Sequence, residues 1–260
     1  MRQIVLLKDI PDLTEIKLDP QTRAPIVEGV KRRISEVDKR ALEAAIRLKE
    51  KVGGEVVTLS LGDDKTKTAL LEALAMGADA VYIVNEPELK GVDTNATSKV
   101  LEAAVKHVGD YDLILAGEMT LDSLSSQIGP RLAQLLDLPQ ITYVKELDVA
   151  DGKVRAVRDL EDVDEVVEAA LPAVVSVVRE INEARIPNLM SIMRAKKKPQ
   201  TVWSLGDIGL DAAEIKSHSY VQITSVSAPK VERKQIKIEA ETVEEAAAKL
   251  VEALMQEGVL

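Results

Sequence analysis

Two stretches of the sequence gather hydroxyls, carboxamides and free backbone N–H groups in front of a helix, which is what a phosphate needs. The first is Gly117-Glu118-Met119-Thr120-Leu121-Asp122-Ser123-Leu124-Ser125-Ser126-Gln127-Ile128-Gly129-Pro130, between an apolar run and a helical pattern. The N-terminal N–H groups of a helix and their partial positive charge favour anions, so this loop suits a phosphate or pyrophosphate. Pro130 lacks an N–H, so regular helix starts or bends near it. The second stretch is Gly91-Val92-Asp93-Thr94-Asn95-Ala96-Thr97-Ser98. Asp93 or Thr94 suits an N-cap. Thr94 and Thr97 stand three apart on one face of the first turn and can offer two hydroxyls to a second phosphate. On these residues alone the plainer readings are a polar loop with serine caps and an ordinary helix start. Ser35 and Asp38 likewise read as an S-x-x-D capping box.

Other chemistries are excluded by what the chain lacks. It has no cysteine, which removes thiolate nucleophiles, iron–sulfur ligation and disulfides, and two histidines, His107 and His218, too few for an imidazole metal cluster. No G-x-G-x-x-G and no Walker loop occur, and a nucleophilic serine would need a paired histidine, which nothing in the sequence places near a candidate. A net charge of −10, no Phe, one Trp and four Tyr argue against nucleic acid. The longest apolar run, near 171–178, is far shorter than the roughly 18 residues of a membrane span. The start, Met1-Arg2-Gln3-Ile4-Val5, lacks the pattern of a signal peptide. A cytoplasmic protein with no metal and no catalytic side chain of its own is the expectation.

The elements that position these loops alternate. Gln3–Leu7, Glu55–Leu61, Ala80–Val84 and Asp112–Ala116 are short and apolar throughout, as strands covered on both faces are. Between them lie helical patterns over Glu36–Lys51, Asp64–Met76 (closed by Gly77) and Asp93–Val108, with a further helix through Ile128, Leu132, Leu135 and Leu136. This order predicts an α/β fold with a parallel, Rossmann-like sheet, whose ligands sit beyond the carboxyl ends of the strands. From Val149 the style turns β-rich, with Asp151-Gly152 as a hairpin turn, a run over Val163–Ala170 and a buried strand over Ala173–Val178. Residues 181–203 read as an exposed loop or broken helix carrying Arg194, Lys196, Lys197 and Lys198. Beyond them come short strand-like pieces and an amphipathic helix over Thr242–Met255 that needs something to lie against. The residues divide the chain into 1–180 as an α/β domain with a β-hairpin extension, 181–203 as an exposed loop with a basic run and 204–260 as a C-terminal segment.

Several segments, in order, resemble one family. Val5-Leu6-Leu7-Lys8-Asp9-Ile10-Pro11-Asp12, Lys17-Leu18-Asp19-Pro20 and Glu28-Gly29-Val30 are similar to its opening. Ala41–Glu50 and Ala73–Asp79 are similar to its helix signatures. Asn182-Glu183, Arg185, Asn188-Leu189 and Ile192-Met193-Arg194-Ala195-Lys196-Lys197-Lys198 resemble its most specific stretch. The family is the β subunit of the electron transfer flavoproteins. The resemblance implies an adenine-nucleotide-binding, HUP-like domain that holds AMP or FAD and pairs with a flavin-bearing α subunit. It implies nucleotide contacts at Leu6 and Lys8, at Ser35, Glu36, Val37 and Asp38, and at Thr58, Leu61 and Gly62. The phosphate loop then contributes Gly117, Glu118, Met119, Asp122, Ser123, Ser125, Ser126, Gln127 and Gly129. Leu189, between Asn188 and Met190, matches a leucine that docks into a partner dehydrogenase, with Arg194, Lys196 and Lys197 around it. The C-terminal arm is then the segment that embraces the α subunit.

The G-x-D-T-x-A-T pattern over Gly91–Thr97 resembles the flavin-bifurcating and Fix-type members. There Asp93, Thr94 and Thr97 stand at a FAD pyrophosphate and NADH is the electron donor. The acceptors implied are acyl-CoA-dehydrogenase-like or quinone-oxidoreductase partners, so that a membrane is met only through a partner. Two places depart from the family. Glu118 stands where arginine is frequent in bifurcating relatives, and Ser35-Glu36-Val37-Asp38 replaces an Asn-Pro start. The alternatives are a single-path carrier with structural AMP and a stand-alone nucleotide-binding module. A nucleotide-cleaving enzyme is disfavoured by the missing S-G-G-x-D-S-like loop after Leu7.

Overall fold

The computed structural model describes residues 1–230 and 233–260. It begins with β1 (Arg2–Leu6), an excursion of four short strands, β2 (Asp9–Pro11), β3 (Lys17–Leu18), β4 (Pro25–Ile26) and β5 (Arg32–Ile34), and α1 (Glu36–Val52). Then come β6 (Glu55–Gly62), α2 (Thr66–Ala69), α3 (Leu71–Met76), β7 (Ala80–Asn85), α4 (Thr94–Val108), β8 (Leu113–Gly117) and α5 (Ile128–Leu136). The later part holds β9 (Gln140–Ala150), β10 (Lys153–Asp159), β11 (Asp164–Ala170), β12 (Ala173–Val177), α6 (Leu189–Ala195), β13 (Gln200–Trp203), α7 (Ala212–Ser217) and α8 (Val243–Gln256).

The described strands form a nine-stranded sheet in the order β11-β10-β9-β12-β8-β1-β6-β7-β13. From β9 to β13 in this order every pairing is parallel, while β10 and β11 fold back antiparallel at one edge. β1 lies in the middle, Val5 paired with Thr58 on one side and Leu115 on the other. Both faces are covered, so alternate side chains enter two separate cores. Val5, Leu113, Leu115 and Val175 pack with Ala41, Leu42 and Ala45 of α1 and Leu74 of α3. Ile4, Leu6, Ile114 and Ala116 pack with Val100 and Ala104 of α4 and Leu132 of α5. The expected α/β, Rossmann-like architecture is the one observed.

Some local expectations need correction. The single helix over Asp64–Met76 is two, α2 and α3, broken at Leu70. Thr66 Oγ1 is tied to Asp9 Oδ1 at 2.9 Å and Leu70 is fully buried, so tertiary contacts override the local pattern. Asp151 and Gly152 have φ of 52° and 71°, the paired left-handed residues of a tight hairpin turn, as the sequence implies. Gln200–Trp203, read as the end of a loop, is instead an edge strand beside β7, with Trp203 stacked on Tyr82 at 4.8 Å. Among the described residues no strand follows Trp203, because the strand-like pieces there have no neighbouring strand to pair with. α8 forms where expected, yet none of its residues is buried.

Candidate functional site

The chain winds from β1 through α1 to β6 on one side, and β8 is added on the other, so the strand order reverses between β1 and β8. Crevices open at such switch points beyond the carboxyl ends of the strands. The loops after β1, β6, β7 and β8 converge on this end of the sheet, which brings the sequence-predicted residues together.

Asp38, in the first turn of α1, is the clamp of the crevice. Its Oδ2 accepts from the backbone N–H of Lys8 at 2.8 Å and its Oδ1 from that of Gly117 at 3.2 Å, joining the ends of β1 and β8. The expected capping box is therefore absent. Ser35 is the N-cap residue but its side chain makes no cap bond, and its Oγ accepts from Leu121 N at 3.4 Å. Strand-end N–H groups compete for these side chains because the N-terminus of α1 is buried in the crevice. Burial pushes the Asp38 carboxyl up to about 7, against the lowering effect of the Lys8 and Gly117 N–H groups and the Lys8 charge. Gly117 is dictated by the same contact, since a Cβ there would lie 2.4 Å from Asp38 Oδ1 and 3.0 Å from the backbone of α1.

Lys8 reaches across the crevice to Asp122, Nζ to Oδ2 2.7 Å, so the loops after β1 and β8 are joined by an ion pair. Glu118 donates its backbone N–H to Val177 O at 2.8 Å. Its side chain is buried, and Oε1 has no partner among the described residues. Thr58 Oγ1, fully buried on β6, is likewise unpartnered. Gly62 leaves room for Thr66, whose Oγ1 would lie 2.0 Å from any Cβ there. Leu6 and Val37 point into the core and Leu61 packs against it, so only their backbones can face a ligand. Glu36 sits 3.7 Å from Arg40 in an i,i+4 pair. In the loop after β8 Thr120 and Ser123 share a hydroxyl hydrogen bond of 2.9 Å, and Leu124 and Ser126 adopt left-handed φ of 50° and 54°. Met119, Ser125 and Ser126 are half-buried there, and Gly129 packs against Ser176, 3.3 Å from an added Cβ.

The two helix starts lie side by side. Thr94 Oγ1 donates to Gln127 Oε1 at 2.6 Å, and Arg131 bridges the same pair, Nε to Gln127 Oε1 at 3.0 Å and Nη1 to Asn95 Oδ1 at 3.1 Å. Thr97 lies one turn on, half-buried. Asp93 caps α4 through Ala96 N at 3.0 Å and also accepts from Tyr220 N and Val221 N at 2.8 and 3.1 Å. Burial opposes its charge, but these N–H groups outweigh burial and hold it below the usual carboxylate value. Asp93 thus spends its oxygens on the helix and on the chain that follows α7. Arg131 and Asn95 went unnoticed in the sequence. The available signal was spacing, for Arg131 stands four residues after Gln127 on one helix face.

Residues 179–198 rest on the α1–α3 face of the sheet. Asn188 caps α6 through Ser191 N at 2.9 Å, and Leu189 and Met190 are exposed. Arg194, Lys196 and Lys197 face solvent. Lys198, expected in the same basic patch, instead donates to the carbonyls of Leu74 and Ala78 at 3.0 and 2.6 Å, where burial lowers its pKa. Among the described residues no helix is long and apolar enough to cross a membrane.

The electron transfer flavoprotein domain matches residues 25–208. The electron transfer flavoprotein subunit beta of Thermoanaerobacterium thermosaccharolyticum is 37% identical over 100% of both chains. The caffeyl-CoA reductase-Etf complex subunit CarD of Acetobacterium woodii is also 37% identical over 100% of both. Protein FixA of Azotobacter vinelandii is 31% identical over 92% of this chain and 88% of its own.

Proposed function

The chain belongs to the electron transfer flavoprotein family as a β subunit, and from that premise we propose that it holds FAD in the crevice between β1 and β8 and works as half of a heterodimer with an α subunit. The observation that carries this reading is the joining of two helix starts through Thr94, Gln127, Asn95 and Arg131. A single phosphate, as in AMP, needs one such start, whereas the pyrophosphate of FAD matches two side by side. The residues fit the cofactor. Gly117 keeps the strand ends bare, and the buried Thr58 Oγ1 and Glu118 Oε1 are polar atoms without a partner among the described residues.

The residues in these roles divide the work. The N-termini of α4 and α5 and the Arg131 guanidinium offset phosphate charge, with the hydroxyls of Thr97, Ser123, Ser125 and Ser126 as donors and Thr94 holding Gln127 between the two helix starts. Asp38 holds the ends of β1 and β8 at fixed separation, and the Lys8–Asp122 pair spans the crevice. The flavin, when bound, supplies the one- and two-electron chemistry; the protein positions it and tunes its surroundings. NADH as the donor, with its electron pair divided between a high- and a low-potential path, is the use this reading favours. The name of the Acetobacterium woodii relative, which places it in a caffeyl-CoA reductase complex, supports an acceptor that acts on an acyl-CoA.

Leu189 then serves as the apolar anchor for an acyl-CoA-dehydrogenase-like or quinone-oxidoreductase acceptor, and Arg194, Lys196 and Lys197 steer the encounter. Residues 204–260 then serve the α subunit by their far end, supported by the exposed Leu250, Val251 and Met255 of α8, whereas Leu205, Ile208 and Ile215 at their start are buried in this chain's own core. The test is the nucleotide content of the heterodimer after denaturation. A second FAD without AMP, reducible by NADH, is expected. One FAD with AMP would overturn the bifurcating reading and return Thr94 and Thr97 to plain helix caps.

A further inference from the structure

Helix α1 has a second face, remote in sequence from the clamp at Asp38. Arg40, Glu43, Arg47 and Glu50 recur at spacings of three and four and so share one side. All four turn to residues 179–185. Arg40 Nη1 donates to Arg179 O at 2.8 Å and to the carbonyl of Asn182, and Asn182 Nδ2 donates back to Arg40 O at 3.0 Å. Arg47 Nη2 donates to Glu183 O at 3.2 Å. Arg185 spreads its planar guanidinium over two carboxylates. Its Nε and Nη2 reach Glu43 at 2.7 and 3.2 Å, and its Nη1 and Nη2 reach Glu50 at 2.7 and 3.0 Å.

Glu43 is 2% exposed, so burial would lift its pKa; hydrogen bonds from Arg185 and Arg47 outweigh burial and hold it low. At the far end, Ala195 is buried and Lys198 is plugged into the carbonyls of Leu74 and Ala78. Residues 186–194 are thereby held at both ends as an arch. They present Ile186 (93% exposed), Leu189 (72%), Met190 (59%) and Met193 (59%) with Arg194 beside them.

We propose that Arg185 is a positioning residue that preorganises this arch for a protein acceptor whose apolar pocket is rimmed by carboxylates. The proposal rests on the reading of Leu189 as the docking anchor, and the acidic rim follows from Arg194, Lys196 and Lys197. Ordering a loose nine-residue segment on binding would cost part of the interface energy, and fixing its ends in advance removes that cost. A lysine cannot replace the arginine, because one ammonium cannot span Glu43 and Glu50 in a planar fork.

The test uses the purified heterodimer with an acyl-CoA dehydrogenase as acceptor. The variants are Arg185→Ala, Arg185→Lys and the milder Glu50→Gln, which removes half the fork at an exposed carboxylate. Expected for Arg185→Ala is an acceptor KM raised about tenfold, the loss of roughly one or two ordered side chains, with kcat at saturating acceptor changed less than about twofold. Arg185→Lys should follow Ala rather than wild type, and Glu50→Gln should lie between. Amide exchange should accelerate over 186–194, with nucleotide content retained. An unchanged KM in these variants, while Leu189→Ala raises it, would overturn the role of Arg185. Loss of nucleotide together with the rise in KM would overturn it too, since the effect would then be general. If Leu189→Ala leaves KM unchanged, the docking reading fails and the inference falls with it.

Discussion

Asp38 gives the sharpest test of the crevice. The unfolded chain ionises it near 3.8 and the folded protein near 7, chiefly because burial penalises the charge. Between those values the folded state holds a proton that the unfolded state has lost. Stability therefore falls as pH rises, with a limiting slope of about 1.4 kcal/mol per pH unit, and levels off above the folded value. From pH 5 to pH 8 the Asp38 contribution should decline by roughly 2–3 kcal/mol. In Asp38→Asn the side chain no longer titrates, and one of the two N–H groups of Lys8 and Gly117 loses its acceptor. That variant should lose stability at pH 5, where wild type is neutral at this site, and close the gap as pH rises. The assay is urea unfolding of this chain at several pH values, followed by Trp203, its single tryptophan. Other carboxylates titrate in both proteins, so the difference between the two curves isolates Asp38. Wild type and Asp38→Asn running parallel from pH 5 to 8 would refute the burial argument, and coincident curves would refute the clamp as well.

The same geometry makes three further predictions. Gly117→Ala drives a Cβ to 2.4 Å from Asp38 Oδ1; about 1–3 kcal/mol of stability should be lost by overpacking, with nucleotide occupancy falling alongside in a denaturation-and-quantification assay. Thr94→Val removes the 2.6 Å bond to Gln127, and FAD affinity measured by fluorescence titration should drop by roughly five- to tenfold, the value of one hydrogen bond, while AMP affinity changes little. Asp93→Ala should cost about 1 kcal/mol as a lost cap and speed amide exchange at Tyr220 and Val221, whose N–H groups it accepts. Because the folded pKa of Asp93 lies below 3.8, the wild-type advantage over Asp93→Ala should persist at neutral pH and vanish only as acid protonates the carboxylate.

The parts of the molecule legible in the sequence are those whose signals are local. Apolar runs with no polar alternation announce strands covered on both faces, and Asp151-Gly152 announces its turn. Gly77 and Asp93 mark helix ends, and the hydroxyl-rich loops stand out by composition alone. What stayed hidden depends on partners far away in the chain. Ser35 and Asp38 look like a capping box because the motif is defined by spacing within one helix. Their actual partners, Lys8, Gly117 and Leu121, lie 30 to 86 residues away. Lys198 looks like part of a solvated basic run because its neighbours are, yet its Nζ fills carbonyls 120 and 124 residues upstream. Trp203 looks like loop because a four-residue edge strand is too short to show a period. In the first two cases the local reading failed where a polar side chain takes a distant partner. Polar side chains that bond far along the chain mark where the fold is being used, and two such places are the clamp at Asp38 and the fork at Arg185. Both are built on α1, one at its start and one along its flank, so a single helix fixes the crevice for the nucleotide and the base of the docking arch.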